Sequence, residues 1–174
     1  MRWLHLFEYD NAQKAFAEAQ KADPGFALAY WGEAMTHTNG IWNMDEADAA
    51  RAALAKLGPT PAARAAKAPT AREKAFLDTG EQLFSAGTIE ERQARFVASA
   101  KTLVTQNPDD DEAKLIYALA LFDADPKGRN EANYAESARY SGSVLAHNPR
   151  HAGAAHYLIH AVDDPAHAAE GLEA

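Results

Sequence analysis

Four prolines divide the chain into segments of nearly equal length. They are Pro24, Pro69, Pro108 and Pro149, and the steps between them are 45, 39 and 41 residues. Each proline is followed within a few residues by apolar residues at helical spacing. Proline cannot continue a helix, and it holds the residue before it away from the helical conformation. A proline followed by a helix thus recurs about every 40 residues. Such a period predicts a supersecondary unit that is repeated along the chain, with the repeats stacked on one another.

Composition favours helices throughout the chain. Alanine accounts for 41 of the 174 residues, and alanine has the highest helix propensity of all residues. No run of β-branched or aromatic residues alternates with polar ones, so strands are not expected. The sequence therefore predicts an all-α fold in which residues 1–174 form a single domain. We expect a right-handed stack of about four helix pairs, with the prolines at the junctions between pairs.

Apolar spacing and capping signals predict about nine helices. Capping boxes of the form Thr-x-x-Glu at Thr70 and Thr88 mark the starts of two of them. Four acids at 109–112 mark a third start, because the helix dipole favours negative charge there. A connector rich in proline and alanine lies at 59–69. The predicted helices are 10–22, 26–37, 45–57, 70–85, 88–106, 109–122, 131–146, 151–162 and one that begins near 165.

Charge and composition exclude several classes of function. The net charge of −8 argues against a nucleic-acid partner, because phosphate binding requires clustered lysine and arginine. No apolar stretch is long enough to cross a bilayer, so no membrane partner is expected either. The chain has no cysteine, which fits a cytoplasmic and a periplasmic location equally well. No catalytic motif is present, so no enzymatic activity is predicted. Helical patterns run into both ends, and we expect the chain to be a fragment of a longer protein.

Several stretches resemble tetratricopeptide repeats. Tyr9–Ala12, with Phe16 and Asp23-Pro24, resembles the second helix of that repeat, and Ala27–Ala34 resembles the first helix of the next one. The stretch His151–Ala161 is similar to a motif of large bacterial proteins with such repeats. The resemblance implies a helical-hairpin solenoid that acts as a protein-interaction scaffold. A peptide or a partner protein would then bind in its concave groove.

The resemblance also implies which residues line that groove. In the family, the positions seven and eleven residues after each proline face the groove. The candidate partner-binding residues are therefore Trp31, Met35, Phe76, Leu115, Leu119, His156 and His160. An apolar stripe at helical spacing also arises from ordinary helix packing, and this alternative stays open. An exposed helix face at about 165–174 would favour self-association, since solenoids need capping repeats to cover their terminal apolar surfaces.

The histidines indicate a second kind of site. His156 and His160 are four residues apart, so both rings project from one helix face, and Asp164 extends that line. Two imidazoles and a carboxylate can bind Zn²⁺ or a similar transition metal, which makes metal binding the alternative function. Hydrogen bonds from each ring to a backbone or carboxylate group would produce the same pattern. We expect both rings to approach Asp163, Asp164 or His37, and we favour the hydrogen-bonded version over the metal site.

Overall fold

The all-α prediction is confirmed by a computed structural model of the chain. It describes residues 1–39, 41–42, 44–122, 124, 128–172 and 174. Over these residues the helices are α1 (Arg2–His5), α2 (Tyr9–Ala22), α3 (Ala27–Met35), α4 (Ala47–Leu57), α5 (Pro61–Ala65), α6 (Ala71–Leu83), α7 (Ile89–Gln106), α8 (Asp111–Phe122), α9 (Glu131–Leu145) and α10 (Ala152–Ala161). Two antiparallel strands of two residues each, β1 (Thr38–Asn39) and β2 (Met44–Asp45), form a hairpin between α3 and α4.

The four evenly spaced prolines precede four helices. Pro24, Pro69, Pro108 and Pro149 stand two or three residues before the first residues of α3, α6, α8 and α10. Both predicted capping boxes are formed, because the Thr70 and Thr88 hydroxyls accept the backbone N–H of the glutamate three residues on. These capping boxes and prolines therefore mark helix starts correctly.

Two short helices were not predicted, and one predicted helix is wrong. The connector at 59–69 contains α5, whose start is capped by Thr60. A further helix, α1, precedes the first predicted one. The helix predicted from 165 is instead a turn followed by a 3₁₀ segment, Ala168–Gly171. Asp164 caps this segment, because its carboxylate accepts the backbone N–H groups of Ala166 and His167, but the chain continues only as a turn and the 3₁₀ segment.

Neighbouring helices pack against each other along most of the chain. The pairs α2–α3, α3–α4, α6–α7, α7–α8, α8–α9 and α9–α10 are all in contact, and α3 also packs on α6. Helix α1 contacts both α2 and α10, so the first residues of the chain lie against the last long helix. Among the described residues, no helix combines the length and the apolar character needed to span a bilayer.

Candidate functional site

The apolar residues assigned to the groove lie in the core. Trp31 has no exposed surface, and its indole Nε1 donates a hydrogen bond of 3.0 Å to the Thr79 hydroxyl. The ring meets Phe76 edge to face, with centroids 5.4 Å apart. Met35, Phe76, Leu115 and Leu119 are also buried. These five side chains pack between helices, which is the second interpretation given above, and they offer no open surface to a ligand.

His156 and His160 lie on the same side of α10, as their spacing predicts. Their Nε2 atoms are 3.0 Å apart, and the ring centroids are 4.7 Å apart. The Nδ1 of His156 donates to the backbone carbonyl of His5 at 2.6 Å. Because Nδ1 therefore carries the proton, the Nε2 of His156 presents a lone pair, and the Nε2 of His160 donates to it. Both rings are half-buried.

His5 is the residue that connects this pair to the rest of the molecule. Its ring is 1% exposed, and its Nε2 donates to the Glu112 carboxylate at 2.6 Å. On the opposite side, its Nδ1 shares a hydrogen bond of 2.9 Å with the Tyr157 hydroxyl. With the His5 carbonyl bound to His156, these contacts join α1, α8 and α10 in one polar cluster. We call these five residues, His5, Glu112, His156, Tyr157 and His160, the histidine cluster.

One carboxyl group and one imidazole of the histidine cluster, those of Glu112 and His160, have shifted pKa values. Burial raises the pKa of Glu112, but the hydrogen bond from His5 and the charges of His5 and His151 lower it by more, so its pKa is below the ordinary value. Burial and the neighbouring His156 lower the pKa of His160, against a smaller opposite effect of Asp163. Glu112 is therefore ionised and His160 neutral in neutral solution.

Phe7 covers the imidazole pair from the side of α1. Its ring centroid is 4.7 Å from that of His156 and 5.9 Å from that of His160. The residue has a φ of 57°, a left-handed conformation that is uncommon for a bulky side chain. This conformation turns the chain between α1 and α2 and directs the ring onto α10. Trp42, 62% exposed, contacts the outer edge of Phe7 at 5.6 Å between centroids.

Asp164 does not join the imidazole pair, so the predicted set of three metal ligands is wrong. Its carboxylate is bound by Arg129 at 2.6 Å and by the Nδ1 of His167 at 2.8 Å. Of the three residues that the rings were expected to approach, Asp163 is the one whose charge acts on His160, whereas His37 pairs with Glu46. Within the described part of the chain, no three acidic or imidazole side chains converge in a geometry that could hold a metal ion.

A separate groove lies between α9, α10 and the segment after α10. We call it the C-terminal groove; its volume is about 870 Å³. One wall consists of the small residues Ala135, Ala138 and Gly142 on α9, and the other includes Leu158 and Val162. The charged residues at its rim are Arg129, Glu131, Arg139, Asp164, His167 and Glu170.

Comparison with known proteins identified no relative of this chain. No family model, no curated protein and no solved structure matched it. The resemblance to tetratricopeptide repeats therefore stays a prediction from the sequence. The histidine cluster and the C-terminal groove are assessed below from their own geometry.

Sequence reasoning found one half of the histidine cluster and missed the other. The i, i+4 spacing identifies His156 and His160, because it depends only on helix geometry. Glu112 was assigned to a helix start, where Asp110 in fact provides the cap by accepting the backbone N–H of Glu112 at 3.0 Å. His5 and its partners are 107 and 152 residues apart in the chain, and no local pattern signals such contacts.

Replacing Glu112 by glutamine tests the charge at the histidine cluster. We expect Glu112→Gln to lower the free energy of unfolding at pH 7 by about 1.5–3 kcal/mol, because hydrogen bonds to a charged group are worth this much. Since the pKa of Glu112 is lowered by folding, its contribution is complete above about pH 4.5 and is lost as the pH falls through the lower folded value. Urea unfolding of both proteins between pH 3 and 7 would measure this. A difference that stays constant over that range would contradict it.

Proposed function

We propose that this protein is a binding scaffold, not an enzyme, and that it holds an amphipathic helix of a partner protein in the C-terminal groove. The observation that supports this is the open space above Gly142. A Cβ atom built on this glycine meets no atom within 4 Å, although the residue lies within α9, three residues before its last residue. Glycine in a helix interior costs about 1 kcal/mol relative to alanine. Here, together with Ala135 and Ala138, it keeps this wall of the groove free of large side chains.

The wall of small residues fits a helix as the occupant. Ala135, Ala138 and Gly142 follow one another at spacings of three and four, so they form one stripe along about two turns of α9. Small residues let two helices approach closely, and the larger Leu158 and Val162 on the facing wall leave room for side chains between them. A helix with one apolar face would bury that face against both walls.

Charge at the rim favours a basic partner. Glu131 and Glu170 line the groove, and neither has an ion-pair partner among the described side chains. The arginines at the rim already have acidic partners, since Arg129 is bound to Asp164 and Arg139 lies 3.5 Å from the Glu136 carboxylate. The chain as a whole carries a net charge of −8, which would attract a cationic segment from a distance.

The proposal retains the tetratricopeptide-like arrangement but moves its binding surface. Trp31 and Phe76 occupy equivalent positions, seven residues after their prolines, and they pack against each other where α3 meets α6. This contact between corresponding positions supports a stack of helix pairs. In such a stack the apolar residues that the resemblance assigned to a groove are buried here, whereas α9 and α10 leave their outer faces open.

Two substitutions at Gly142 test the groove directly. Gly142→Phe fills it, and we expect this change to weaken binding at least about tenfold, which corresponds to about 1.4 kcal/mol. Gly142→Ala adds one methyl group and should leave binding intact while stabilising α9 by up to about 1 kcal/mol. The probe is a labelled synthetic helix of about 18 residues, long enough to form in isolation, with leucines on one face and lysines on the other. Fluorescence anisotropy measures its affinity.

A second peptide with glutamate in place of every lysine provides the control for charge. We expect it to bind at least about tenfold more weakly, because Glu131 and Glu170 would repel it. Equal binding of both peptides, or full binding by Gly142→Phe, would overturn the proposal. Analytical ultracentrifugation adds a separate check: a dimer that Gly142→Phe dissociates would show that a second copy of the chain occupies the groove instead.

A further inference from the structure

The two facing imidazole nitrogens have the separation of two ligands on one metal ion. The Nε2 atoms of His156 and His160 are 3.0 Å apart. Imidazole nitrogens bind a metal at about 2.0–2.1 Å, so two of them lie about 2.8–3.0 Å apart at a right angle and about 3.3–3.4 Å apart at the tetrahedral angle. The observed distance therefore matches the spacing of neighbouring corners in a square-planar or tetragonal site.

The hydrogen bond from His156 to the His5 carbonyl orients its ring for such a role. Histidines that bind a metal through one nitrogen usually donate the other N–H to a carbonyl or carboxylate, which fixes the tautomer. Here Nδ1 donates at 2.6 Å, and Nε2 is left with its lone pair facing His160. His160 needs only to place its proton on Nδ1 for both Nε2 atoms to be available together.

The surroundings of the pair favour one class of metal. The chain contains no cysteine, so no thiolate is available for Cu(I) or for the sulfur-rich sites of zinc. Nitrogen ligands at right angles suit Cu(II) and Ni(II), and Cu(II) has the highest affinity of the divalent first-row metals. We propose that His156 and His160 form a two-nitrogen site for Cu(II), in which water or a small ligand completes the coordination.

This site differs from the three-ligand zinc site expected from the sequence. Asp164 is bound to Arg129 and His167 and is not a ligand of this site. The His5 carbonyl accepts a hydrogen bond from His156, so it orients one of the two ligands and does not bind the metal itself. Phe7 lies against both rings and limits the access of water on that side. His156 and His160 do not line the C-terminal groove, so the test of the copper site is independent of the test of the proposed function.

Titration of untagged protein with copper(II) chloride tests the site. We expect one equivalent to bind and to give an electron paramagnetic resonance spectrum with hyperfine coupling to two nitrogens. His160→Gln should weaken this binding at least about tenfold while the bond from His156 to His5 remains. Nickel should bind at least as tightly as zinc, because the spacing of the two nitrogens favours square-planar over tetrahedral geometry.

The double variant His147→Gln/His167→Gln is the matched control. Both rings are more than half exposed, and each lies beside an aspartate that could help it bind a metal. We expect copper binding to be unchanged in this variant. The proposal is overturned if the control loses the bound copper, if His160→Gln retains it, or if zinc binds ten times more tightly than nickel. If His160→Gln does not fold, the wild-type spectrum decides, and coupling to fewer than two nitrogens overturns the proposal.

Discussion

Replacing Trp31 by alanine should lower the free energy of unfolding by about 3–5 kcal/mol, the usual cost of deleting a large aromatic side chain from a packed core. The indole is completely buried between α3 and α6, and it meets Phe76 edge to face. Its removal also takes the donor from the Thr79 hydroxyl. Chemical denaturation of the two proteins measures the difference.

Trp42→Ala provides the comparison for that result. Its indole is 62% exposed and contacts the edge of Phe7, so we expect a loss of less than about 1 kcal/mol. The same experiment distinguishes the two interpretations of Trp31, because a groove residue could be truncated at little cost in stability. A small effect of Trp31→Ala, similar to that of Trp42→Ala, would support the groove over the core.

The second large effect is expected at the ion pair between α5 and α6. Arg64 binds both carboxylate oxygens of Glu81, at 2.5 and 2.6 Å, and its third nitrogen donates to the Gly58 carbonyl at 2.8 Å. Both side chains are largely buried, with 10% and 14% of their surface exposed. Arg64→Met leaves the glutamate charge without its partner, and breaking a buried pair in this way costs about 3–5 kcal/mol.

A double variant separates the worth of the ion pair from the cost of an isolated charge. In Arg64→Met/Glu81→Leu the unpartnered carboxylate is gone, and we expect most of the lost stability to return, because apolar pairs often replace buried ion pairs without loss. The exposed pair of Lys21 and Glu18 is the control, since Lys21→Met should change stability by less than about 0.5 kcal/mol. A double variant no more stable than Arg64→Met alone would contradict this account.

Local signals predicted most of the helices, and distant contacts determined the rest. The capping boxes at Thr70 and Thr88 and the four prolines act within a few residues, so the sequence reveals them directly. By contrast, α5 has only five residues and depends on a glutamate 17 positions away. Such a helix is too short to be stable alone, and packing decides whether it forms.

The same distinction explains which parts of the candidate sites could be predicted. The facing of His156 and His160 follows from helix geometry, whereas their link to Glu112 depends on where α1 docks. The apolar residues of the expected groove were recognised as a stripe, but a stripe does not distinguish an inner from an outer face. The C-terminal groove went unnoticed because it is formed by the lack of large side chains at Ala135, Ala138 and Gly142.

The docking of α1 on α10 couples the exposure of α1 to the conformation of α10. Helix α1 has four residues, and the contacts of His5 with residues of α8 and α10 hold it in place. Any event that distorts α10, including occupation of a site along it, would expose α1 to proteases before the whole molecule unfolds. The rate of proteolytic cleavage near Arg2 would then measure a conformational change in α10, about 150 residues away, without any label.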